Sequence, residues 1–178
     1  FVERVESAVP SSSTIRNFFI YDGEDDITEA ILSDPGYTFL ILSPSLAVAE
    51  SSAIDKIDEL YDYTREYHYN LYCLTASTLE EIVEWQDNTG ADYPFYSMDA
   101  STLRTIMRGN PGIVLLHDGV IVKKVRPAHL PGEAEWNAPI DQLPFGQLSP
   151  YTHLRPLLTL LVIFFVPMLL LLLTSKTV

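Results

Sequence analysis

Few side chains in this sequence have the type and spacing that chemistry needs. The chain of 178 residues holds one cysteine, Cys73, and four histidines, His68, His117, His129 and His153. A single thiol excludes an internal disulfide framework, a Cys-x-x-Cys redox pair and a cysteine-based zinc cluster within the chain. Cys73 lies in Leu71-Tyr72-Cys73-Leu74, a run of strand type, and reads as a buried, inert thiol. The histidines fall in separate segments without metal-ligand spacing, and His117, beside a turn, reads as solvated. There is no glycine-rich phosphate loop, no Gly-x-Ser-x-Gly elbow and no helical His-Glu-x-x-His. The carboxylate pairs Asp25-Asp26 and Glu80-Glu81 are sequence neighbours, whose side chains diverge on a strand or helix, so they read as cap and surface. No catalytic residue, metal ligand or cofactor site is expected.

Composition narrows the partners. The net charge is -13, from 24 acidic and 11 basic side chains, which argues against a nucleic-acid surface. The imbalance is local: residues 22–99 hold 18 acidic and 2 basic groups, and residues 100–178 hold 4 acidic and 7 basic. Such an acidic half reads first as solvated surface and second as a face for a basic partner.

The elements that would position any site can be read in order. Residues 1–17 form an N-terminal connector with a Pro10-Ser11-Ser12-Ser13 linker. Phe18 to Tyr21 predicts a strand, and Asp26 a cap for a short helix over Ile27 to Leu32 that Pro35-Gly36 stops. The apolar run Tyr37 to Leu42 predicts a central strand covered on both faces. A helix carrying Ile54, Ile57, Leu60, Tyr61 and Thr64 on one side follows, then the strand around Cys73, joined to the first by a right-handed parallel crossover. Ser77-Thr78-Leu79-Glu80-Glu81 has capping-box spacing, a hydroxyl with a carboxylate three residues on. It starts a helix with Leu79, Ile82, Val83 and Trp85, which Gly90 terminates. Tyr93 to Met98 predicts a further strand, and Asp99 caps a helix with Leu103, Ile106 and Met107.

Asn110-Pro111-Gly112 then forces a sharp turn into two β-branched runs, Ile113 to Leu116 and Val120 to Val125, joined by the hairpin dipeptide Asp118-Gly119. An ordinary trans-proline turn fits the local residues as well as a cis one. With Gly109 and Gly112 as the flexible neighbours, a cis Asn110-Pro111 bond is the expectation. Strand, helix, proline turn and antiparallel hairpin make the second half of a thioredoxin-like α/β fold, expected over residues 18–126. Residues 127–153, with five prolines between Pro127 and Pro150, predict an irregular connector over the surface.

Leu157 to Leu173 is a stretch of 17 residues without charge. As a helix it is roughly 25 Å long at ~1.5 Å per residue, serviceable as a membrane span with its flanks, so residues 154–175 are expected to form a transmembrane helix touching lipid through residues 156–174. Arg155 and Lys176 on opposite flanks leave its orientation undecided. The chain opens on Phe1 without an initiator methionine or a signal-peptide pattern, which reads as a fragment or processed product.

Gly36-Tyr37-Thr38-Phe39-Leu40, Leu71 to Ser77, Tyr93-Pro94-Phe95, Asn110-Pro111-Gly112 and Leu115-Leu116-His117-Asp118-Gly119, in this order and spacing, resemble the thioredoxin-like portion of bacterial DoxX/MauE-type membrane proteins. The resemblance covers about residues 20–125. It implies membrane helices before Phe1, an inner-membrane location and a soluble domain facing the periplasm. In redox-active members of the fold a Cys-x-x-Cys pair opens the helix after the first central strand. Here that place falls on Ala47-Val48-Ala49-Glu50, without sulfur. The resemblance therefore implies a redox-inactive recognition or assembly module. Its groove would lie between Ala47, Val48, Ala49 and Glu50 on one side and Asn110, Pro111 and Gly112 on the other, holding an extended segment of a protein partner by strand addition, with the membrane helices of the same full-length protein as the other expected partner. The alternative is a component of a membrane thiol-disulfide oxidoreductase system whose reactive cysteines lie outside this chain. A third class is a purely structural anchor.

Overall fold

The apolar run Tyr37–Ser43 is buried along nearly its whole length and forms the central strand of the sheet, β3. In the computed structural model, which describes residues 18–147, β3 lies parallel to β4 (Asn70–Thr75) on one side and antiparallel to β6 (Gly112–His117) on the other. The remaining strands are β1 (Tyr21–Asp22), β2 (Asp25–Asp26), β5 (Phe95–Ser97) and β7 (Val120–Val125). They complete a seven-stranded mixed sheet in the order β2-β1-β5-β4-β3-β6-β7. With its flanking helices the sheet is a mixed α/β arrangement consistent with the thioredoxin-like fold.

Because side chains alternate across a strand, β3 divides its apolar residues between two cores. Phe39 and Ile41 face one core with Leu71 and Cys73 of β4 and Ile113 and Leu115 of β6. Leu40 and Leu42 face the other with Leu74, Val114 and Leu116. The first core is covered by α2 (Ile54–Glu66) through Ile57, Leu60 and Tyr63, and by α3 (Leu79–Thr89) through Ile82 and Trp85. The second is covered by α1 (Thr28–Leu32) through Ile31 and by α4 (Ala100–Ile106) through Leu103.

The local signals act as their chemistry requires. Thr78 and Glu81 form a reciprocal capping box, and Gly90 closes α3 in the left-handed conformation. Asp99 caps α4 by accepting from the Thr102 amide at 2.8 Å. Hydrogen bonds from the Ser101 hydroxyl and the Thr102 amide hold the Asp99 carboxyl below the usual carboxylate range. The hairpin turns on Asp118 and Gly119, both at positive φ, as the twist of two antiparallel strands favours. A Cβ at Gly119 would stand 2.4 Å from the Leu32 carbonyl oxygen, so this turn also docks against the end of α1. The Asn110-Pro111 bond is cis.

Two expectations shift. Phe18 to Ile20 is not strand; pairing begins at Tyr21–Asp22, which folds back on Asp25–Asp26 while Ile20 is fully buried. Asp26 serves α1 from one residue further out than a cap, accepting from the Thr28 amide at 3.0 Å and the Thr28 hydroxyl at 2.6 Å.

A larger difference concerns residues 127–147. They are irregular, with short 3-10 turns at Pro127–His129 and Glu133–Glu135, but they do not merely run over the surface. Leu130, Trp136, Ile140, Leu143 and Phe145 are buried in the first core. Tyr63 donates its hydroxyl to the Ala138 carbonyl at 2.9 Å, and the Ile140 amide donates to the Tyr69 hydroxyl at 2.9 Å. Trp136 packs on Tyr63 with ring centroids 4.4 Å apart. Apolar residues spaced without a helical or strand period can still line one side of an irregular segment, and sequence periodicity is blind to that case.

The apolar run 157–173 lies outside the described residues. Among the described residues no helix is long and apolar enough to cross a membrane.

Candidate functional site

At the C-terminal end of β3 the chain leaves the sheet through Ser43-Pro44-Ser45 and makes two 3-10 turns, Leu46–Val48 and Ser51–Ala53, before α2 begins. One residue just before the neighbouring strand β6 organises this loop. The Ser43 hydroxyl, fully buried, donates to Oδ1 of Asn110 at 2.7 Å, and Nδ2 of Asn110 donates to the Ser45 carbonyl at 2.8 Å. The Glu50 amide donates to the Asn110 carbonyl at 3.1 Å. On the other flank the Leu46 amide donates to the Ser77 hydroxyl at 2.9 Å, and the Leu46 side chain is buried. The loop is thus fastened to the β6 side by Asn110 and to the start of α3 by Ser77.

The sequence-predicted groove residues are brought together, but they do not share one environment. Ala47, Val48 and Glu50 are exposed, and Ala49 and Asn110 are half-buried. Pro111 and Gly112 are buried. A Cβ on Gly112 would stand 2.1 Å from Cγ of Met107, so this glycine is required by close packing and offers no side-chain surface to a partner. Strand addition at this edge is also partly pre-empted, since the Asn110 carbonyl that an extended partner would meet already accepts from Glu50.

Cys73 stands mid-strand on β4, opposite Ile41 on one side and Phe95 on the other, and is 1% exposed. Burial alone pushes its thiol well above the ordinary range, so thiolate is scarce at neutral pH. Tyr93, beside it in the core, is shifted upward by burial first and by the Cys73 charge second, and accepts from Nε1 of Trp85 at 3.3 Å. His68, His117 and His129 are exposed and separate; His117 stacks on Tyr37 at 4.2 Å between ring centroids. His153 lies outside the described residues. Among the described residues no three His, Cys, Asp or Glu side chains converge as a metal site.

One feature of this end of the molecule was missed by the sequence reading. Leu79 and Val83 are among the apolar residues that the sequence assigns to α3, and in the fold they are 74% and 47% exposed. Ile82 and Trp85 take the inward positions, leaving Leu79 and Val83 on the outer flank with Glu80, Glu84 and Asp87 around a surface groove. The signal was present in the sequence: an apolar arc through 79, 82, 83 and 85 is wider than one contact with a sheet can cover.

No family model matches this chain, and no curated protein matches it. Among solved structures it is similar to one described as "Solution structure of a putative protein disulfide isomerase from Bacteroides thetaiotaomicron", with 15% identity over 60% of this chain and 71% of that chain and a TM-score of 0.48. At that identity and score the likeness carries no argument about this chain.

Proposed function

We propose that this domain is a recognition or assembly module of a cell-envelope membrane protein of DoxX/MauE type, tethered by the span at residues 154–175 and facing the periplasm. The observation that carries the reading is the loop Ala47-Val48-Ala49-Glu50. It holds no sulfur and is fastened through Asn110 and Ser77 with Ala47, Val48 and Glu50 outward, and the resemblance to the thioredoxin-like portion of DoxX/MauE-type proteins aligns it with the thiol pair of redox-active members. A held, exposed loop loses little conformational entropy when a partner binds it. Cys73, desolvated in the core, is poorly placed to attack a partner's disulfide, because exchange runs through an accessible thiolate.

The test compares Ala47→Trp, Cys73→Ser and the unmodified full chain in a strain lacking the gene. Complementation should be lost in Ala47→Trp with the unfolding midpoint unchanged, and retained in Cys73→Ser. Rapid alkylation of Cys73 in the native protein, together with loss of complementation in Cys73→Ser, would replace this reading with a one-thiol redox component.

A further inference from the structure

We infer that the outer flank of α3, continuous with the Leu46–Val48 turn, docks a segment of a partner protein that carries bulky apolar side chains flanked by lysine or arginine. This deepens the recognition reading above and rests on it, sharing Val48 with that reading and adding the outer flank of α3. Three observations point to such a partner. Leu79 and Val83, one helical turn apart, are 74% and 47% exposed, and Val48, on the turn that packs against the start of α3, is 72% exposed. Exposed apolar side chains occur singly on most surfaces, but a pair on one helix flank with a third on an adjoining turn is the beginning of a patch.

The second observation is the groove itself, in which Leu79 and Val83 are bordered by Glu80, Glu84, Asp87 and Asn88. Apolar and acidic side chains together in one lining suit a side chain or segment that is apolar along its stem and cationic at its end.

The third is that this acidic border has nothing of its own to neutralise it. Helix α3 carries no basic residue, and among the described residues the one ion pair is Lys56–Glu59 on α2. Glu81 is committed to the Thr78 cap, whereas Glu80, Glu84 and Asp87 are exposed. A basic partner gains both steering and register from that arrangement. An anionic lipid surface is repelled by it, and a second copy of this flank brings like charges together.

The probe is a synthetic amphipathic peptide of leucine and lysine, with a glutamate-for-lysine and a serine-for-leucine counterpart. Binding to the full chain is measured in zwitterionic nanodiscs by fluorescence anisotropy, with empty discs as blank. The leucine-lysine peptide should bind and both counterparts should not. Leu79→Ser with Val83→Ser should weaken binding about tenfold. Glu84→Lys with Asp87→Lys should weaken it about tenfold and remove its salt dependence. Asp55→Asn with Asp62→Asn, on the acidic face of α2, should leave it unchanged. All these positions are exposed, and unchanged thermal unfolding verifies the variants.

Equal affinity in wild type and the α3 variants overturns the inference, as does equal loss in the α2 control, which would reduce the effect to net charge. A dimer that Leu79→Ser dissociates assigns the flank to a second copy and also overturns it. If Ala47→Trp abolishes complementation and the α3 variants do not, the recognition reading stands and this inference alone falls.

Discussion

The backbone N–H of Glu50 donates to the carbonyl oxygen of Asn110 at 3.1 Å, joining the loop after the central strand to the residue before Pro111. With both side-chain groups of Asn110 also engaged by Ser43 and Ser45, the two walls of the expected groove are one hydrogen-bonded unit. A partner therefore meets the outward side chains of Ala47, Val48 and Glu50 more readily than a free strand edge.

Asn110→Ala should destabilise the domain by about 1–3 kcal/mol, because it strands the fully buried Ser43 hydroxyl and frees the Ser45 carbonyl. Chemical denaturation measures the loss, and limited proteolysis should show faster cleavage near Val48. An unchanged midpoint with unchanged cleavage would mean that the loop is held by packing of Leu46 alone.

Cys73 should resist alkylation in the native state and react once denaturant is added. Its thiol keeps its proton in the folded chain at pH values where the unfolded chain loses it, so the thiol's contribution is complete below the unfolded pKa and declines as pH rises beyond about 8.5. Cys73→Ala should lack that decline between about pH 8.5 and 10, before tyrosines begin to titrate. Cys73→Ser should lower stability by about 1–3 kcal/mol through a buried hydroxyl. Equal alkylation rates in native and denatured protein would contradict the burial.

Asp58 on α2 is held above the usual carboxylate range by partial burial first and by the charges of Asp55 and Asp62 after it. A carboxyl whose folded pKa is raised opposes folding once ionised, so stability falls as pH rises from the unfolded to the folded value. Asp58→Asn should raise the thermal midpoint at pH 7, and the gain should vanish in acid below the ordinary aspartate pKa. Added salt should shrink only the part due to Asp55 and Asp62. A variant less stable than wild type at pH 7 would point to a favourable contact of the carboxylate.

The segment after β7 should prove essential to the fold. Trp136→Ala should cost about 3–5 kcal/mol by opening a cavity against Tyr63 and Phe145. Trp136→Phe should cost far less, since it keeps most of the packing and removes a buried indole N–H that meets no acceptor among the described residues. A chain ending at Gln147 should unfold cooperatively, whereas one ending at Arg126 should expose the first core and aggregate. If the shorter chain folds as stably as the longer, residues 127–147 are an accessory and the surface-connector expectation is restored.

The sequence by itself determined the parts governed by short-range rules. Positive-φ preference placed the turn at Asp118-Gly119, hydroxyl and carboxylate spacing within Ser77 to Glu81 started α3, and continuous apolar character put Tyr37 to Leu42 at the centre of the sheet. It also named the two stretches of the expected groove, Ala47 to Glu50 and Asn110 to Gly112, which a hydrogen bond from the Glu50 amide to the Asn110 carbonyl joins. Only the tertiary structure decided what those stretches present. Asn110 spends its polar groups on residues 60 and more positions away, Gly112 is packed shut by Met107, and Leu79 and Val83 turn outward because Ile82 and Trp85 reach the sheet first. It also decided that Trp136, Ile140 and Phe145 cover α2 and the sheet. Such choices depend on which surfaces compete for burial across the folded chain, and that competition leaves no periodic trace along it.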